Sequence, residues 1–189
     1  MRVTFEGHRR TITAGPFTGG NELPAAFSIV RTASMDEAIE FATREAAILG
    51  DGEIDIRPVT EPWDIGLGER PGNISTRRYM VLRKATPATE AGIEPTPAQR
   101  AALSRVVNER TNAGVHMTRV EMKPSKRGRR YVNSREGVVM LDGPLVETKE
   151  LLAGFIIISA ESLEAAGRWA KRYLEVAEAE EVDVRELAT

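Results

Sequence analysis

The sequence predicts an α+β protein built around a duplicated strand-helix-strand pattern. Three observations predict it. A shift of 128 residues lays 14–57 on 142–185 without a gap, with 14 of 44 positions identical. Each copy runs from a β-rich segment through a helix-spaced segment to a short alternating segment. A further strand, helix and strand precede the second copy alone. Two copies make a duplicated module and not a solenoid.

The elements follow in order. RVTF and RTIT, on either side of Glu6-Gly7-His8-Arg9, read as a hairpin. FSIVRTA (27–33) reads as a strand. Ser34 then precedes Met35, with Glu37 three residues on, a capping box that satisfies free N–H groups at a helix start. Met35, Ala38, Ile39, Ala42 and Ala46 recur at helical spacing, and the helix ends near Gly50-Asp51-Gly52. EIDIRPV closes the copy, with Ile54 and Ile56 on its core face.

The second copy has more in front of it. RRYMVLRKA (77–85) is a strand. Thr96-Pro97 with Gln99 starts a helix whose apolar stripe is Leu103, Val106 and Val107, and Gly114 stops it. VHMTRVEM (115–122) is the next strand, and 129–134 with 137–141 form a hairpin. FIIISA (155–160) reads as a strand, Ser162 starts a helix, and EVDVREL closes the chain. Strand-helix-strand, hairpin, strand-helix-strand describes a ferredoxin-like module with an inserted hairpin. Residues 1–60 thus form an incomplete module, 61–76 a Gly/Pro-rich linker in which Trp63 anchors the chain, and 77–189 a complete module. Strand edges and apolar helix surface left open in the incomplete module call for cover by the second copy or by another chain.

Composition excludes several chemistries. The 189 residues include no cysteine, which removes disulfides, a thiol nucleophile and cysteine zinc sites. MRVTFEGHRR holds no apolar run of signal-peptide length, and Leu151 to Ile158 is far too short to cross a bilayer. A cytoplasmic protein with no membrane partner is expected. Arg119 to Arg135 holds seven basic residues and one acid, while Glu175 to Glu186 is acidic. A basic hairpin facing solvent or an acidic neighbour accounts for this pattern. With no interleaved aromatics beyond Tyr131, nucleic acid is not the expected partner.

Leu141-Asp142-Gly143-Pro144-Leu145, Glu147-Thr148-Lys149-Glu150 and Gly154-Phe155 resemble the YciI-related family, in particular its DGPF branch. EIDIRPV and EVDVREL resemble its closing strand, and RVTFEGHRRTITAGPF its hairpin. The resemblance implies ferredoxin-like modules packed sheet to sheet as a dimeric α+β barrel, either a homodimer or a pseudo-dimer within the chain. Members are mostly uncharacterised, and some relatives on this fold act on small molecules. A His–Asp pair has been proposed as the active site of some members.

Asp142 and His116 are the candidate acid–base pair. A turn aspartate ordinarily accepts bonds from nearby backbone N–H groups; in a cleft it would serve as acid or base toward a small-molecule ligand. Its counterpart in the first copy is Ala14, so only the second copy would be active. His116 departs from the apolar residue usual at that place in the branch. Glu147 and Lys149 are candidate ligand-binding residues at the rim, against the simpler reading of a solvated charged loop. Glu22 and Glu150 match across the copies, which favours a structural role for that glutamate. No metal site and no cofactor is expected: two histidines and scattered carboxylates form no ligand spacing, and the glycine clusters lack a phosphate-loop lysine. Binding or converting a small ligand around Asp142 is one function class; a non-enzymatic interaction or regulatory protein is the other.

Overall fold

The computed structural model describes residues 1–7, 9–17, 22–50, 52–145 and 152–188. Its elements are β1 (Arg2–Glu6), β2 (Arg9–Thr13), β3 (Pro24–Thr32), α1 (Met35–Leu49), β4 (Gly52–Pro58), β5 (Arg77–Lys84), α2 (Pro87–Glu90), α3 (Pro97–Asn112), β6 (His116–Glu121), β7 (Arg129–Ser134), β8 (Gly137–Asp142), α4 (Leu163–Ala177) and β9 (Glu181–Val184). The α+β class read from the sequence holds. The chain divides into two compact units: residues 1–17, 26–84 and 94–120, and residues 18–25, 85–93 and 121–189.

The first unit is organised on a six-stranded sheet in the order β2-β1-β4-β5-β3-β6. β1 pairs antiparallel with β2 and β4, and β4 antiparallel with β5, with Ile56 opposite Val81. The strand that opens the second module in sequence therefore lies beside the strand that closes the first copy. α1 forms as its sequence dictates. The Ser34 hydroxyl accepts from Glu37 N–H at 3.2 Å, and the Glu37 carboxylate accepts from Ala33 N–H at 3.0 Å. Its apolar side then buries Ala38, Ile39, Phe41, Ala42 and Ala46 against Val3, Val30, Ile54, Ile56, Tyr79 and Val81. α3 starts on the expected reciprocal cap, Thr96 with Gln99. The 61–76 segment is tied to β5: Glu61, almost fully buried, accepts two bonds from Arg78 at 2.8 and 2.5 Å. Trp63 stands half-buried in a single 3-10 turn, Pro62–Ile65.

The second unit holds a three-stranded sheet in the order β8-β7-β9, with both ladders antiparallel. α4 packs on it through Tyr131, Ala170 and Leu174. Gly167 is required here, because a Cβ at that position would lie 2.0 Å from the Tyr131 hydroxyl. In the first unit the matching pair is Ile39 and Val3: the large residue has moved from helix to strand.

One expected strand differs. Residues 155–160 carry no strand assignment, and Ala153 to Ala160 are all exposed. The counterpart in the first copy, β3, lies between β5 and β6 and is buried along most of its length. Among the described residues one such flanking pair exists, and it lies beside β3. The apolar sequence of 155–160 permits a strand, but backbone donors and acceptors need neighbours to make one.

Candidate functional site

Asp142 ends β8 and faces Arg129 across the ladder. Arg129 Nε donates to its Oδ1 at 2.8 Å, and Arg129 also approaches Glu164 at 3.1 Å. The partner is thus a cross-strand guanidinium rather than the backbone of its own turn. The Asp142 side chain is 68% exposed and Glu164 63%, so the trio stands open to water, where such pairs contribute little each. Glu164 is held below the ordinary carboxylate range, first by its own backbone N–H and then by Arg129.

The Gly-Pro that follows is fixed from below. A Cβ on Gly143 would lie 2.0 Å from the Ser125 carbonyl oxygen, so this turn admits only glycine. Gly143 N–H donates to the Gly128 carbonyl at 3.0 Å, and Leu145 N–H to the Ser125 hydroxyl at 3.1 Å. Ser125 is fully buried; its hydroxyl and N–H both donate to Glu90. Arg185, 6% exposed, lies 3.7 Å from Glu90 and donates to the Lys123 and Pro24 carbonyls. Sequence reasoning missed this Glu90–Ser125–Arg185 cluster. Glu90 lies 35 residues from Ser125, in an unremarked stretch, and no spacing rule joins them.

His116 opens β6 in the first unit. Its ring stacks on Phe41 at 5.9 Å between centroids, and Nδ1 lies 3.4 Å from the Thr111 hydroxyl. Nε2 is buried and has no hydrogen-bond partner among the described residues. Burial, then the charge of Arg119, lowers its pKa from the ordinary 6.5, so the ring is neutral at pH 7. Its surroundings within the unit are those of a packed aromatic. Glu147, Lys149, Glu150 and His8 lie outside the described residues.

The basic stretch is largely matched by acids. Arg119 pairs with Glu45, Lys123 and Arg127 with Glu186, Arg129 with Asp142 and Glu164, and Arg130 with Glu181 and Asp183. The Arg130–Asp183 bridge, at 2.7 and 2.9 Å, repeats Arg2–Asp55 at the same two distances. Arg2 and Arg130 are themselves 128 residues apart. That shift, extended beyond the matched window, was the available signal. Asp55 additionally receives Lys84 from β5 at 3.1 Å. Burial alone would raise its pKa, but Arg2 and then Lys84 outweigh it and hold the carboxyl below its ordinary 3.8.

Among the described residues, no group of three or more His, Asp or Glu could hold a metal ion, and no helix is long and apolar enough to cross a membrane. The small cavity under β3 and α1, about 10 Å³, is lined by Ser28, Glu45, Ala46, Arg83 and Arg119 and has room for one water at most. Asp142 does not line it.

Antiparallel sheets carrying helices, with a Gly-Pro after each hairpin, define the class. A family model described as the YCII-related domain matches residues 77–188, more than half of the chain. The chain belongs to that family. No curated protein and no solved structure gave a match.

Proposed function

We propose that this YciI-related protein works as a non-enzymatic interaction module, and that its second unit presents the docking face. One observation carries the reading. Ile156, Ile157 and Ile158 are 67, 51 and 45% exposed, and α4 exposes Trp169, Tyr173 and Val176 at helical spacing. Of the first-copy counterparts, Ser28, Val30, Phe41 and Glu45 are buried and Ile29 and Ile48 are half-buried. Scattered apolar residues on a surface need no explanation, whereas a strand-forming run together with a helix stripe marks an interaction site.

The order β4-β5-β3-β6 supports a finer reading of the first unit. Taken with β5-α3-β6 first, it is the 4-1-3-2 order of a ferredoxin-like sheet. On this reading the 77–121 segment completes the 1–60 half. Sheet-to-sheet pairing into an α+β barrel, within the chain or between two chains, is the matching proposal for assembly.

A photocrosslinking residue at Trp169 tests the interaction reading in cells. It is expected to trap a discrete polypeptide, and Ile157→Lys to abolish the product, while the same residue at exposed Glu175, whose counterpart Ala47 is exposed in the first unit, traps none. A chain that traps nothing at 169 and stays monodisperse at high concentration sinks the reading.

A small-ligand reading around Asp142 has one observation in its favour: the Asp142–Arg129–Glu164 trio is open to solvent. A ligand there would compete with Arg129 for the carboxylate. Asp142→Asn that keeps the fold and leaves ligand-induced stabilisation unchanged across a metabolite screen removes that reading.

A further inference from the structure

The two units allow a direct comparison of what is built and what is open. Under the 128-residue shift, β2 corresponds to β8, β1 to β7 and β4 to β9. In the first unit the sheet continues past β4 with β5, then β3, then β6. In the second unit the sheet ends at β9. The segment equivalent to β3, residues 152–160, precedes α4 and carries no strand, and Ala153 to Ala160 are exposed. Two strands and the helix joining them are what the first unit has and the second lacks among the described residues.

The side chains agree with this pattern. Tyr79 and Val81 of β5 belong to the core cluster that buries Phe41 and Val30. The matching Trp169 and Ile158 are 62 and 45% exposed. Asp55 receives Lys84 of β5, and its side chain is 1% exposed; the matching Asp183 has the same arginine and is 23% exposed. Each difference lies where β5 or its neighbours act in the first unit.

Resting on the interaction reading above, we infer that the second unit is an acceptor for a strand-helix-strand segment of a partner polypeptide, of the chemistry of residues 77–121. The first strand of that segment adds to the β9 edge, and its two strands enclose 156–158. The added strands cover Trp169 as β5 and β3 cover Phe41, and the helix joining them packs on the Arg172 and Val176 side of α4, as α3 does on Arg44 and Ile48. Backbone hydrogen bonds to a strand edge supply affinity, and the apolar face of the sheet sets register. The occupant needs two alternating apolar strands, a helix with a short apolar stripe like Leu103 and Val106, and a cation at the Lys84 position to meet Asp183.

The register is specific enough to test. Ile56 lies opposite Val81. By the shift, Val184 should lie opposite residue 81 of an added segment. The native chain has no cysteine, so each introduced pair reads one contact. The experiment uses the full chain and a synthetic 77–121 peptide with Val81→Cys. Val184→Cys chain is expected to form a mixed disulfide with it, at least tenfold faster than Ile56→Cys chain. A labelled peptide should bind saturably at one per chain, at least tenfold more weakly to Ile157→Lys, and a scrambled peptide should not bind.

Four results overturn the inference: no saturable binding; equal binding of the scrambled peptide; a disulfide only with Ile56→Cys, which means invasion of the first unit; or a chain already dimeric through 156–158 that the peptide does not dissociate, which assigns the face to a second copy. Should the peptide fail while Trp169 still traps a polypeptide, the occupant is wrong and the interaction reading stands. Failure of both removes both.

Discussion

The halves 2–58 and 130–184 share their hairpin, their arginine–aspartate bridge, their helix cap and their closing strand, yet one is buried and the other open. Phe41 is fully buried and Trp169 is 62% exposed at the same position of the same helix. The lesson is that an apolar sequence specifies a strand or a core face only where neighbours exist to receive it. In the first half β5 and β6 are those neighbours. In the second half the same pattern, FIIISA, carries no strand.

The largest expected effect tests burial itself. Phe41→Ala should cost about 3–5 kcal/mol in denaturant unfolding, because it empties the centre of a packed core. Trp169→Ala should stay within about 0.5 kcal/mol in the isolated chain, as for other exposed positions. Equal costs would break the comparison and mean that Trp169 is covered.

The bridges come next. Asp55→Asn removes the carboxylate that Arg2 and the buried Lys84 share, Arg2 keeping Glu53 at 3.2 Å, and should cost about 3 kcal/mol. Asp183→Asn, on a more exposed bridge, should cost about 1 kcal/mol. The pH dependence follows the sign of the shift. The folded-state pKa of Asp55 lies below 3.8, so its stabilisation is full above that pH and disappears as pH falls through the lower folded value. Acid titration of unfolding should show this loss in wild type and not in Asp55→Asn.

A packing test is smaller. Gly167→Ala drives a methyl into the Tyr131 hydroxyl and should cost about 2 kcal/mol. Tyr131→Phe in the same chain should recover part of that loss, a coupling measured by a double-mutant cycle. No recovery would mean that the helix, and not the hydroxyl, sets the clash.

The smallest effect has the opposite sign. α1 ends in Gly50 at φ 96°, while α4 ends in Glu178 at φ 51°, a left-handed conformation that favours glycine. Glu178→Gly should stabilise the second unit by about 0.5–1 kcal/mol. A loss instead would show that the Glu178 side chain makes a contact its exposure does not suggest.

The sequence by itself determined a good deal. The Ser34, Thr96 and Ser162 caps, the basic hairpin and the closing strands all follow from local chemistry: side chains that cap, periods of 3.6 or 2, and turn residues. The family was also legible, because the residues around Gly143-Pro144 sit in a fixed element order. The tertiary structure decided the rest. Which half receives 77–121 depends on long-range strand pairing, and both halves offer the same pattern to it. Asp142 sits in an ion pair with Arg129 because the β7–β8 register puts them opposite, a fact no single residue carries. Gly143 is glycine because the Ser125 backbone, 18 residues earlier in the chain, passes where its Cβ would be. Local rules act within a few residues, whereas pairing and close approach join segments far apart in the chain, and that distance set the limit of the reading.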